Sequence, residues 1–269
     1  MPLRSYLLTL LTCSLLTGAP TMADDWPAFL GPQRNGISTE TGLIDSFPAT
    51  GPKELWRIPG GVGMSGCAIL GDVGCTLVQD DQQQSLLAFD ANTGKTLWKT
   101  ALCPAYSNAM GDGPRATPAL TAETAFAYTG EGRLFAVDLK TGSIQWQQQP
   151  VISLKGKPAE YGMAGSPLVV GEQVIVHVGA PEATVASFST RTGALRWTAG
   201  QGHACGYSSP TLLTLHERPI LACFSGNALL GLDPNSGKQL WEHEYVTDYN
   251  CNIAVPIAVG NDVFISAGE

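Results

Sequence analysis

Five stretches of the chain carry side chains able to hold a polar ligand. They are GMSGCAI at 63–69, GPRATP at 113–118, YGMAGSP at 161–167, GYSSP at 206–210 and NCNIAVP at 250–256. Glycine lets a backbone approach a ligand closely, and Ser and Tyr hydroxyls both donate and accept hydrogen bonds. Arg115, Ser166, Tyr207, Ser208 and Ser209 are the candidate binding set. Arg115 is the most directed of them, because a planar guanidinium pairs with a carboxylate through two parallel hydrogen bonds. The same residue types also satisfy tight turns and line water-filled channels, so a purely structural reading stands beside the binding one. His203 lies two residues before Cys205, a spacing open to a metal pair, whereas His177 in an apolar strand pattern reads as a hydrogen-bonded core residue. His216 and His243, beside Glu217 and Glu242, read as exposed loop or edge positions. No GxSxG, HExxH, phosphate-loop or calcium-loop pattern is present.

The elements that must position these residues are repeats. LLAFDANTGKTLW ends at Trp98, LFAVDLKTGSIQW at Trp146, VASFSTRTGALRW at Trp197 and LLGLDPNSGKQLW at Trp241. The tryptophans are 48, 51 and 44 residues apart. Each copy alternates at strand period, breaks at an acid or Ser followed by x-x-Thr/Ser-Gly, and returns to a Trp. That is a β-hairpin whose glycine takes φ > 0 and whose acid and hydroxyl bind nearby backbone N–H groups. The tryptophans are expected to pack between neighbouring sheets. A period of this size built from short strands predicts an all-β chain, a β-propeller of four-stranded antiparallel blades.

Four full blades follow, at about 60–99, 113–147, 162–198 and 206–242. A partial fifth begins at Asn252 with AVPIAV and DVFISAG. Residues 53–58, KELWRI, place Trp56 42 residues before Trp98 and read as an outer strand that completes the last blade and closes the ring. An end with two strands leaves an unpaired edge. The propeller is therefore expected to be incomplete at its C-terminus, the alternative being a four-bladed ring closed by residues 53–58. The predicted division is 1–23 signal peptide, 24–59 strap and closing strand, 60–269 propeller.

Composition agrees. Charged residues are only 14%, while 31 Gly and 18 Pro suit many short strands joined by turns. The net charge of −8 argues against nucleic acid or anionic lipid as partner. Met1–Ala23 reads as an export signal: Arg4, a short apolar core, then Thr21-Met22-Ala23 as the cleavage site. The chain is thus expected to be secreted or periplasmic, with no membrane span. A lipid anchor would need cleavage before Cys13, where Leu10-Leu11-Thr12 is a poor lipobox. Export permits disulfides, and a Cys67–Cys75 bridge is open, but buried free thiols are the default for Cys75 and Cys223.

The repeat resembles the quinoprotein-type, PQQ-like propeller family, which includes PQQ-dependent alcohol dehydrogenases and BamB. The resemblance runs from about Gly60 onward and implies a parent of seven or eight blades. DWPAFLGPQRNGIS at 24–38 resembles the opening of exported members, WPxFRGPxRxGxS, with Trp26, Pro27, Phe29 and Pro32 as a strap over one face. In this family the five stretches above line one mouth of the central channel. The quinoprotein branch implies PQQ and calcium as cofactors and a quinone-binding Arg in the region of Arg115. The vicinal Cys-Cys pair of those enzymes is missing, Cys103 stands alone, and their calcium ligands and catalytic Asp match no clear motif here. The expected function is a non-catalytic exported binding or scaffold module, with a protein or small polar ligand at the channel mouth. The alternative is a PQQ- and calcium-dependent alcohol or sugar dehydrogenase.

Overall fold

The computed structural model describes residues 24–268. The export signal and Cys13 lie outside them.

Four antiparallel four-stranded sheets follow in chain order, each a meander with its first strand innermost. The first holds β1 Ala68–Leu70, β2 Val73–Gln79, β3 Gln83–Asp90 and β4 Thr96–Pro104. The second holds β5 Ala119–Leu120, β6 Thr124–Tyr128, β7 Leu134–Asp138 and β8 Ile144–Gln148. β9 Leu168–Val170, β10 Gln173–Ala180, β11 Ala183–Ser189 and β12 Leu195–Ala199 form the third. β13 Thr211–Leu215, β14 Arg218–Phe224, β15 Ala228–Leu232 and β16 Gln239–Glu244 form the fourth. A two-stranded sheet, β17 Ile257–Val259 with β18 Asp262–Phe264, completes the described strands. The blades fall where the repeat placed them.

The middle strands are buried on both faces, which is why β6 and β15 read as nearly continuous apolar runs. Core clusters sit between consecutive sheets. Leu86 and Ala88 of the first pack with Phe135 and Val137 of the second, and Ile175 and Val185 of the third with Leu221 and Leu230 of the fourth.

The repeat motif explains how sheets lock together. In the turn after β7, one carboxylate oxygen of Asp138 accepts from the Lys140 and Thr141 backbone N–H groups and the Thr141 hydroxyl. Asp90 and Asp233 do the same, and these bonds hold all three carboxyls below the usual carboxylate value. Gly142 sits at φ 74° beneath the Trp98 ring of the preceding sheet, whose indole N–H donates to the Leu139 carbonyl at 3.0 Å. Trp56 lies over Gly94, Trp146 over Gly193 and Trp197 over Gly237 in the same way. Trp56, Trp98, Trp146 and Trp197 therefore each dock on the turn of the next blade.

One expected strand is absent. Residues 53–58 form no ladder, because no described strand lies beside them to take their backbone hydrogen bonds. Trp56 still docks, donating to the Ala91 carbonyl at 3.1 Å. In the segment before the first sheet, Trp26 bridges Ile69 and the Pro27 carbonyl accepts from the Leu120 N–H. Arg34 lies in a turn, and its buried side chain donates to the Pro167 and Ser166 carbonyls. With no described carboxylate in ion-pair reach, its burial lowers its pKa to about 10.

All six described cysteines are free. Ala68 pairs with Cys75 across the β1–β2 ladder, so Cys67 and Cys75 point to opposite faces and a bridge between them would require a register change.

Candidate functional site

The five predicted stretches precede β1, β5, β9, β13 and β17 and meet one another along the innermost edges of the sheets. Their hydroxyls run from blade to blade. Ser65 Oγ donates to the Ala116 carbonyl, Ser166 Oγ accepts the Thr117 N–H at 2.9 Å, and Ser209 Oγ accepts the Ser166 N–H at 2.9 Å. Ser208 Oγ donates to the Ala254 carbonyl at 2.9 Å. Ser166, Ser208 and Ser209 are each buried. They form a girdle that satisfies backbone groups the short inner strands leave unpaired. Ser166→Ala is expected to cost about 1–3 kcal/mol, because it strands the buried Thr117 N–H, and a urea unfolding curve measures it.

Arg115 and Tyr207 lie in a second layer, nearer solvent. The two terminal nitrogens of Arg115 donate to the Gly113 and Gly111 carbonyls, the latter at 2.6 Å. Its guanidinium carbon stands 4.9 Å from the centre of the Tyr106 ring, a cation–π arrangement. Burial lowers its pKa, offset by Tyr106, Asp112 and Tyr207 nearby. Tyr207 stacks on Tyr161 with centroids 5.7 Å apart and planes 18° apart. Its hydroxyl accepts the Tyr161 N–H, and burial pushes its pKa up to about 12. Asn108 donates to the Tyr106 hydroxyl and to the Glu160 carbonyl, tying this layer across two blades.

The structure thus divides the predicted set. The three serines belong to the inter-blade girdle, and Arg115 and Tyr207 belong to a mouth cluster with Tyr106, Tyr161 and Asn108. Tyr106 and Asn108 escaped sequence reasoning because they lie outside the glycine-rich stretches. The only hint was a tyrosine placed just after the end of an outer strand. Around the cluster Met64, Met110, Tyr249 and Ile253 are exposed, and Tyr249 and Asn250 both hold φ of 56°, strained for residues with a Cβ.

His203 and Cys205 do not converge. His203 engages Asn227 through Nδ1 and Glu242 through Nε2, while Cys205 is buried against Gly179. His216 and His243 are exposed, as expected. His177 is in the core, but neither ring nitrogen has a hydrogen-bond partner. Among the described residues no three His, Cys, Asp or Glu side chains are grouped to hold a metal ion.

Meander blades joined through their inner strands, each with an Asp/Ser-x-x-Thr/Ser-Gly turn beneath the tryptophan that precedes the blade, define a PQQ-like β-propeller repeat domain. The chain belongs to the family described as outer membrane protein assembly factor BamB, which matches residues 49–269. It is 31% identical over 127 residues to the quinohemoprotein alcohol dehydrogenase ADH IIB of Pseudomonas putida, covering 42% of this chain and 17% of that protein. It is 25% identical over 212 residues to the outer membrane protein assembly factor BamB of Shewanella oneidensis, covering 77% of this chain and 50% of that protein. Among solved structures, the quinohemoprotein alcohol dehydrogenase of Comamonas testosteroni superposes with a TM-score of 0.58 at 16% identity, over 89% of this chain and 45% of that one. The chain spans half or less of the length of these relatives. Scaffold proteins and quinoprotein dehydrogenases thus share this repeat.

The residues present do not fit the quinone cofactor of the dehydrogenase branch. A tricarboxylate is best gripped along one open guanidinium edge, and one N–H of each terminal nitrogen of Arg115 already donates to a backbone carbonyl while its face lies on Tyr106. The serine hydroxyls near it are buried and committed to neighbouring blades.

Proposed function

We propose that this chain is a non-catalytic binding module of the cell envelope that docks a partner protein across the channel mouth. The observation that carries this reading is the Arg115–Tyr106–Tyr207–Tyr161 cluster, ringed by exposed Met64, Met110, Tyr249 and Ile253. Arginine and tyrosine, partly buried and pre-positioned, are the residue types that dominate protein–protein hot spots. Methionine adds an adaptable apolar rim. Kinship with a protein named as an outer membrane assembly factor supports placing the chain in the envelope, in line with the export signal read at Met1–Ala23.

The test is site-specific photocrosslinking in the envelope of the producing cell. A crosslinker at Tyr161 or Tyr249 is expected to trap a discrete polypeptide. One at Leu97, exposed on outer strand β4, is expected to trap none. Equal trapping at all three positions overturns the reading. A titration with PQQ, with and without Ca²⁺, is expected to show no saturable binding. Saturable Ca²⁺-dependent binding that Arg115→Ala abolishes would replace the scaffold reading with a quinoprotein one.

A further inference from the structure

Beside the mouth cluster, the junction of the third and fourth blades opens into a pocket of about 460 Å³. Four connections wall it: residues 155–160 before β9, the corner 179–181 between β10 and β11, residues 202–205 before β13, and Tyr249 with Asn250 before β17. Lys155 and Lys157 both line it. In a chain of net charge −8, neither ammonium has a carboxylate in ion-pair reach among the described residues. His203 lines the pocket as well, but its ring nitrogens are engaged by Glu242 and Asn227, at 3.2 Å each. The two lysines are left as the pocket's free cations among the described residues.

The backbone that carries them is pinned. A short helix, α1 Pro150–Ser153, is followed by Leu154 and then by Lys155, whose φ of 60° is one that glycine usually takes after a helix. The Gly156 N–H donates to the Val151 carbonyl at 2.7 Å and the Lys157 N–H to the Gly179 carbonyl at 3.2 Å. A methyl at Gly156 would collide with the Val178 carbonyl, so the loop lies close against β10. On the facing connection Tyr249 and Asn250 each hold φ of 56°. Residues with a Cβ held at such angles cost stability, and they cluster where ligands are clamped.

We infer that this pocket binds a monosaccharide carrying one acid group. The lysines supply two ammoniums for a carboxylate or a phosphate. Glu160 and Asn250 offer hydrogen-bond partners for sugar hydroxyls, and the Glu160 charge disfavours a second acid group. Pro158, Pro181 and Tyr249 give an apolar wall for the C–H face of a sugar ring. The volume falls within the range of small-molecule sites, about 300–1,000 Å³. This ligand is separate from the partner protein proposed for the channel mouth.

The test is calorimetric titration of the full chain, at low salt, with glucuronate, glucose 6-phosphate, glucose and inorganic phosphate. Saturable binding is expected for glucuronate or glucose 6-phosphate, at least tenfold tighter than for glucose or for inorganic phosphate. Which of the two binds separates a carboxylate from a phosphate ligand. In Lys155→Gly the glycine accepts φ of 60° without strain, so the urea midpoint is expected to hold or rise while affinity falls at least tenfold. Lys157→Gln, which keeps the backbone bond to Gly179, is expected to lose affinity by a similar factor. Lys140→Ala, exposed in the turn after β7, is expected to change nothing. Absence of saturable binding for both acidic sugars, equal affinity for glucose or inorganic phosphate, or affinity unchanged in the Lys155 and Lys157 variants overturns the inference. The crosslinks at the mouth are read without these sugars, so failure of one result leaves the other standing.

Discussion

Gly142→Val is expected to destabilise the chain by about 3 kcal/mol or more, among the largest effects of any single substitution outside the buried cores. Two costs combine. At φ 74° a β-branched residue is strained by about 1–3 kcal/mol. Its Cβ would also stand 2.8 Å from the Trp98 ring and 2.9 Å from Thr100 Oγ1, so the indole must leave its seat. The Trp98 hydrogen bond to the Leu139 carbonyl and the packing against Leu86 and Ala88 would go with it. Trp98→Ala removes the same ring and is expected to cost about 3 kcal/mol. The two changes act on one contact, so the double variant is expected to lose clearly less than the sum. Urea midpoints of the four proteins measure this. Strict additivity would mean that turn and tryptophan are energetically independent, and the docking account of blade assembly would fall.

The second large effect is a loss of stability on mild acidification that traces to His177. β10 is a middle strand buried on both faces, which puts this imidazole inside the protein, 2% exposed and beside Gly165. Burial lowers its pKa from 6.5 to about 4. The folded state therefore holds it neutral while the unfolded chain takes up a proton below 6.5. The stabilisation is complete above pH 6.5 and is lost as the pH falls through 4. Between pH 7 and 4.5 the loss is expected to be about 2–3 kcal/mol. His177→Leu should remove that dependence, and because neither ring nitrogen has a partner, the variant is expected to be no less stable at pH 7. The turn carboxylates Asp90, Asp138 and Asp233 act in a lower window. Their depressed pKa values give stability that is present above the unfolded value and lost only as pH falls further. A His177→Leu protein that still loses stability between pH 6.5 and 4.5 would assign the effect elsewhere.

The fold was legible where its causes are local. An acid, a hydroxyl and a glycine in fixed order form a turn by hydrogen bonds across three residues. A tryptophan four residues after the glycine belongs to the strand that follows it. These facts set the hairpins and their period, and the period set the blades. Strand formation at 53–58 was not legible in the same way. An alternating pattern states what a segment can pair with, but a ladder needs a neighbour, and no described strand pairs with residues 53–58.

The candidate site was legible only in part. Glycine- and serine-rich stretches before the inner strands mark the channel mouth, and the sequence shows that Ser166, Ser208 and Ser209 carry hydroxyls. It does not show which backbone groups those hydroxyls meet. That depends on the inter-blade rotation, which brings Thr117 to Ser166 and Ala254 to Ser208 across more than forty residues of chain. Arg115 is the sharpest instance. Its side chain could equally have gripped a carboxylate, and the three-dimensional arrangement decided otherwise by curling the loop so that the Gly111 and Gly113 carbonyls meet it first. By itself the sequence determined the repeat, the strand order within each blade and the tryptophan–glycine locks, because these are short-range properties of the motif. Only the tertiary structure decided which polar groups are satisfied within the protein and which side chains gather at the tyrosine-rimmed mouth, because both depend on how the blades are turned against one another.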